Sequence, residues 1–192
     1  LIDSSKDIAW AVNKTLKDIG LDELPYDIIK SYIGWGVKML LEQAIPKESY
    51  NIDDARAIFL KHYEGHLLVD THLYSGVMDM LEHFKNKKLA IVTNKPIGLT
   101  EKILDGLDIS KYFQKVIGGD SVQNKKPHPE AIDMILKELD VKPEKTIFIG
   151  DSKIDIEAGK NAGIITCGAV YGFRGKEELI NAGADFLVEE IG

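Results

Sequence analysis

Apolar residues in the first third of the chain recur at helical intervals. Ile8, Val12, Leu16 and Ile19 fall on one face, then Ile28, Ile29, Tyr32 and Ile33, then Val37, Leu40, Leu41, Ala44 and Ile45. The stretch "DDARAIFLKHYEGHLLVD" adds a fourth apolar side through Ala55, Ile58, Phe59 and Leu67, with Asp53 or Asp54 expected to cap its start. The spacing predicts four helices and no strand over residues 6–71, hence a small helical bundle.

From residue 72 the period changes. Helical stretches now alternate with short runs rich in β-branched residues. "LAIVT" follows "GVMDMLEHFKNKK", "KVIGG" follows "LTEKILDGLD", "TIFIG" follows "PEAIDMILKELD", and "IITCGAV" follows "KIDIEAGKNAG". Apolar strands separated by helices predict a parallel sheet covered on both faces, because each crossover must lay a helix on the sheet. "ADFLVE" is expected at the edge. The fold class is therefore a doubly wound, Rossmann-like α/β core carrying a helical insertion near its N-terminus.

Composition narrows the partners. A net charge of −7 disfavours a nucleic-acid binder, which concentrates Lys and Arg against the phosphate backbone. No run approaches the roughly 20 apolar residues that span a bilayer, and no signal-peptide pattern opens the chain, so a cytoplasmic location without membrane contact is expected. The single cysteine, Cys167, lies in an apolar setting and is expected to be an inert buried thiol. His62 and His66 stand one turn apart but lack further patterned ligands, so an ordinary helix face is expected in place of zinc.

In open parallel sheets, ligands gather beyond the carboxyl ends of the strands. The predicted strands end on Thr93 and Asn94 after "LAIV", Lys125 and Lys126 in "NKKPHPE", and Asp151 and Asp155 in "IFIGDSKIDIEAG". Hydroxyl and ammonium donors suit a phosphate, and a hard carboxylate oxygen suits Mg²⁺ beside it. Taken singly, each residue also serves as a strand end, a solvated loop or a helix cap. Together they offer one crevice a phosphate site, but one carboxylate is a poor magnesium site and no residue among them can attack phosphorus.

These motifs resemble the haloacid-dehalogenase-like superfamily, and within it the phosphoglycolate phosphatase group. Its second motif, an apolar strand ending in Thr or Ser, is matched by Thr93. Its Lys before Pro-x-Pro is matched by Lys126, and its Gly-Asp-x-x-x-Asp by Gly150, Asp151 and Asp155. The resemblance implies that Thr93 binds the transferring phosphoryl group and Lys126 neutralises its charge. It implies that Asp151 ligates Mg²⁺, while Asp155 orients the metal's water shell or Lys126. It also implies a cap over residues 6–71, a core over 1–5 and 72–192, and a small phosphorylated metabolite as partner, for a monomer or homodimer.

The family's first motif, Asp-x-Asp-Gly-Thr, carries the nucleophile and the acid/base Asp, and it occurs nowhere in these residues. It normally stands just before a stretch like "LIDS", with which this chain starts. The expectation is a chain deprived of its first core strand and catalytic loop, and inactive as it stands. Within the cap, Gly34, Trp35, Gly36 and Lys38 of "YIGWGVK" are candidate substrate readers, with Trp35 packed in the bundle as the competing expectation; Asp3 and Ser4 are expected to cap the first helix. The function implied is Mg²⁺-dependent hydrolysis of 2-phosphoglycolate. The alternatives are a pyrophosphatase, a sugar-phosphate phosphatase, a phosphoglucomutase relative, or a non-catalytic domain that binds phosphate ligands or a partner.

Overall fold

The computed structural model describes residues 1–191. Four helices form the first block: α1 (Ser5–Asp18), α2 (Tyr26–Tyr32), α3 (Val37–Ala44) and α4 (Ile52–Glu64). Their predicted faces meet, with Val12, Leu16, Ile29, Leu41, Ala55 and Phe59 almost fully excluded from water. Each large apolar side chain so buried contributes about 1.5–3 kcal/mol. The cap of α4 is earlier than expected. Asn51, rather than Asp53 or Asp54, accepts from the amides of Asp53 and Asp54 at 2.9 and 3.1 Å. Its short amide side chain reaches both first-turn donors, and the two acids complement the helix dipole instead.

No strand falls within residues 6–71, and a short pair flanks the block. A two-residue β1 (Ile2–Asp3) pairs antiparallel with β2 (His72–Leu73), where the chain enters and leaves that block. Two residues are too few to show an alternation.

The remainder runs α5 (Val77–His83), β3 (Ala90–Val92), α6 (Ile97–Gly106), β4 (Lys115–Ile117), α7 (Glu130–Glu138), β5 (Ile147–Gly150), α8 (Lys153–Asn161), β6 (Ile165–Ala169), α9 (Lys176–Asn181) and β7 (Phe186–Val188). Every strand forecast after residue 72 is present, and their pairing is parallel. The pleat sorts β3 between two layers: Ile91 packs with Val77, Leu81 and Leu104, whereas Ala90 and Val92 face Ile135 and the α7 side. Leu99 and Ile103 of α6 join the helical block's core and tie it to the sheet.

The sheet has two parts. β3 pairs with β4, and β5 with β6 and β7; among the described residues no strand joins β3 to β5. Strands of a parallel sheet are normally buried on both faces. Here Ile147 and Ile149 of β5 are 51% and 52% exposed, marking an open edge in the middle of the core.

Candidate active site

Thr93, Asn94, Lys126, Asp151 and Asp155 converge at the carboxyl ends of β3 and β5. Lys126 is fixed from two directions: its Nζ donates to the Val92 carbonyl at 2.9 Å and to Asp155 Oδ1 at 2.6 Å. Both side chains of this ion pair are about nine-tenths buried. An ammonium carries three protons, so one remains for the crevice. The other oxygen of Asp155, Oδ2, accepts from the Ser152 amide at 3.2 Å and its hydroxyl at 2.7 Å, closing a capping box on α8. Burial pushes the Asp155 carboxyl up, but the Lys126 charge and these hydrogen bonds outweigh it and the net direction is down. Asp155 is thus both a helix cap and the anchor of Lys126. Gly150 is required beside it, since a Cβ there would lie 2.1 Å from Asp155 Cβ.

Asp151 stands differently. Its Oδ2 accepts from the Phe173 amide at 2.8 Å, the one hydrogen bond to this carboxylate among the described residues. Desolvation raises its pKa, the Phe173 bond partly offsets that, and the Asp155 charge adds to the rise. A partly buried carboxylate with one accessible, unpartnered oxygen and a raised pKa suits a hard cation. No group of three or more His, Cys, Asp or Glu side chains is arranged around a common centre among the described residues. Of the two acids in the Gly-Asp-x-x-x-Asp stretch, Asp151 is therefore the free one, Asp155 being committed to Lys126 and Ser152.

Thr93 Oγ1 accepts from the Lys95 amide at 3.1 Å, which leaves its hydroxyl proton available. Both amide protons of Asn94 are committed, to Gly34 O at 3.0 Å and Lys126 O at 3.2 Å, and its Oδ1 accepts from Lys126 N at 3.1 Å. Asn94 thereby clips the 34–36 loop and the Lys126 loop to the end of β3. Gly36 lies over the same Asn94. Trp35 is 37% exposed and lies outside the bundle's buried core, so the expectation that it packs there is not met.

Two groups here carry no flag in the sequence reading. Lys95, next to Asn94, donates to the Tyr63 hydroxyl of α4 and sits 4.4 Å from that ring's centroid; burial lowers its pKa to about 7. Arg174 donates to the carbonyls of Ser31 and Ile33, both at 2.8 Å, one residue from the Phe173 amide that holds Asp151. "VTNKP" contains a signal for Lys95, but nothing local in "YGFRGK" marks Arg174.

His62 pairs with Asp18 and His66 with Asp7, each an ordinary intramolecular contact. Cys167 is buried, and burial raises its thiol pKa. Asp3 Oδ1 accepts from the Ser5 amide and hydroxyl at 2.9 and 2.6 Å, while Ser4, at the N-cap position, makes no side-chain cap bond. Of the pair expected to cap α1, only Asp3 accepts from its first turn. No helix among the described residues is long and apolar enough to cross a membrane.

The sequence matches the family described as haloacid dehalogenase-like hydrolase over residues 1–169. A phosphoglycolate phosphatase from Aquifex aeolicus is 44% identical over 175 residues, 90% of this chain and 81% of its own length. One from Colwellia psychrerythraea is 39% identical over 199 residues, 98% and 88% of the two chains. A solved structure of a predicted phosphoglycolate phosphatase from Haemophilus somnus aligns with a TM-score of 0.92 at 27% identity, over 100% of this chain and 90% of that one.

Proposed function

Because this chain belongs to the haloacid dehalogenase-like hydrolases, in the phosphoglycolate phosphatase group, we propose that it is the phosphate- and metal-binding framework of an enzyme converting 2-phosphoglycolate to glycolate and phosphate. The observation that carries this reading is the contrast at the strand ends: Lys126 and Thr93 each keep a donor free, and Asp151 keeps an open carboxylate face beside them.

In this reading the Thr93 hydroxyl and the third Lys126 proton hold the transferring phosphoryl oxygens, and Lys126 stabilises the charge developing on them. Asp155 positions Lys126 and keeps it charged. Asp151 holds Mg²⁺, which when bound neutralises phosphoryl charge. Asn94 positions the two loops rather than spending its amide on substrate. Residues 6–71 act as the cap and residues 1–5 and 72–192 as the core. The clip between Asn94 and Gly34 supports a cap loop seated on the crevice, where it would exclude water.

The nucleophilic and acid/base Asp residues are assigned to a segment outside these 192 residues, which contain no Asp-x-Asp-Gly-Thr. The open edges of β3 and β5 support that assignment, since a strand between them would deliver its end to Thr93 and Asp151. The Asp carboxylate would displace the glycolate oxygen at phosphorus, the second Asp would protonate that leaving oxygen, and water would then hydrolyse the acyl phosphate. The 192-residue chain alone is expected not to turn over.

The test is phosphate release by the protein expressed from its natural start codon, assayed with MgCl₂ on a panel of phosphoesters and pyrophosphate. Magnesium-dependent release favouring 2-phosphoglycolate is expected. Preference for pyrophosphate or a hexose phosphate would overturn the substrate, and no release from any compound would overturn the activity.

A further inference from the structure

Between the helical block and the sheet lies a cavity of about 130 Å³. Lys38 and Arg56 border it from the helical side; Lys125, Asn94 and Asp120 border it from the loops after β3 and β4. Three cations and one carboxylate thus face a space suited to a small anion. The acid is already engaged, because Asp120 Oδ1 accepts from the Ile97 amide at 2.7 Å. Among the described residues the one carboxylate near Lys38 is Glu42, at 3.9 Å and largely in solvent, which neutralises it to little effect. Among the described residues no carboxylate is paired with Arg56 or Lys125.

The backbone brings the 34–36 loop against Lys125. Gly36 adopts φ +92°, and a Cβ there would lie 3.3 Å from Asn94 O and 3.4 Å from Lys125 Nζ. A glycine therefore lets the 34–36 loop settle beside the Lys125 amine. Two of its lining residues are chain neighbours of the phosphate-holding groups: Asn94 follows Thr93, and Lys125 precedes Lys126.

We propose that this cavity is an anion subsite that takes the carboxylate of the substrate while its phosphoryl group sits at Thr93 and Lys126. The proposal rests on the phosphatase reading above and adds the residues that would set its preference. The guanidinium of Arg56 offers a planar pair of donors matching a carboxylate, and Lys125 and Lys38 add charge from opposite sides of the seam. An anion held from both sides draws the helical block onto the sheet, so a substrate with a second negative group closes the site better than a plain phosphoester.

The experiment compares kcat/KM for 2-phosphoglycolate and for ethyl phosphate, which is similar in size but has no carboxylate, using the protein expressed from its natural start codon. The wild type is expected to prefer 2-phosphoglycolate by about tenfold or more, the equivalent of two partly exposed charge pairs. Arg56→Gln and Lys125→Gln are each expected to shrink that ratio through KM, and the double variant to bring it near one. Arg56 and Lys125 are exposed, so folding is not at stake and melting temperatures should be unchanged. A ratio unaffected by the double variant, or a wild type that treats the two esters alike, overturns the subsite and leaves the phosphatase reading standing. No release from either ester overturns both.

Discussion

The helical block and the strand-end cluster each withdraw a carboxylate from water, and they treat it in opposite ways. Asp7 of α1 is fully buried, and its oxygens meet His66 at 3.0 Å and accept from the Asp70 amide at 3.0 and 3.2 Å and from the Thr71 amide and hydroxyl at 2.8 and 2.6 Å. His66 is in turn stacked on Trp10, with ring centroids 3.8 Å apart. Asp151 has one backbone donor and a raised pKa. The first carboxylate staples the departing helix to the returning strand. The second is left wanting a cation. Burial alone does not mark function; a partly buried carboxylate that keeps one oxygen accessible and unpartnered leaves room for a ligand.

Breaking the staple should have the largest effect on stability. Asp7→Ala strands the Thr71 and Asp70 donors and is expected to cost about 3 kcal/mol in denaturant unfolding. Lys126→Met comes next, at about 2 kcal/mol, because it leaves Asp155 buried without its cation. It also moves acid unfolding. The folded pKa of Asp155 is depressed, so its stabilisation is present above the ordinary carboxylate value and lost as pH falls through the lower folded one. Without Lys126 that loss should begin at higher pH.

Asp151→Asn should have the opposite sign. A raised folded pKa means that ionisation costs stability as pH rises past the ordinary carboxylate range. The variant is therefore expected to be more stable than the wild type at pH 7 in denaturant unfolding, and to lose that advantage below about pH 4, where both forms are neutral. Lys95→Met comes last, because the hydrogen bond and ring contact it loses at Tyr63 offset what it gains by removing a buried charge. An amine whose folded pKa is about 7 is penalised for its charge below that pH, and the penalty fades as pH rises toward the unfolded value. Melting scans should show the variant's stability relative to the wild type highest below pH 7 and falling toward pH 10.

Much of this contrast is legible in the residue order alone. Strand ends can be read because a β-branched run followed by Thr93, or by Gly150 and Asp151, changes chemistry abruptly at the point where a parallel sheet opens to ligands. The spacing of Asp151 and Asp155 likewise implies one turn of α8, and two roles open to Asp155, helix cap and Lys126 holder, coexist. What stays hidden depends on distant pairings. Asp7 meets Thr71, Lys95 meets Tyr63, and Arg174 reaches Ser31 across a gap no local pattern encodes. The cap of α4 is hard to place because Asn51, Asp53 and Asp54 are all good capping residues, and only backbone geometry chooses among them.

The open carboxylate of Asp151 is the feature on which the metal assignment turns, and a calorimetric Mg²⁺ titration of the wild type and Asp151→Asn in the presence of 2-phosphoglycolate addresses it most directly. The wild type is predicted to bind the cation and Asp151→Asn to lose it, with the fold of both intact. Equal Mg²⁺ affinity in the two proteins would contradict the assignment of Asp151.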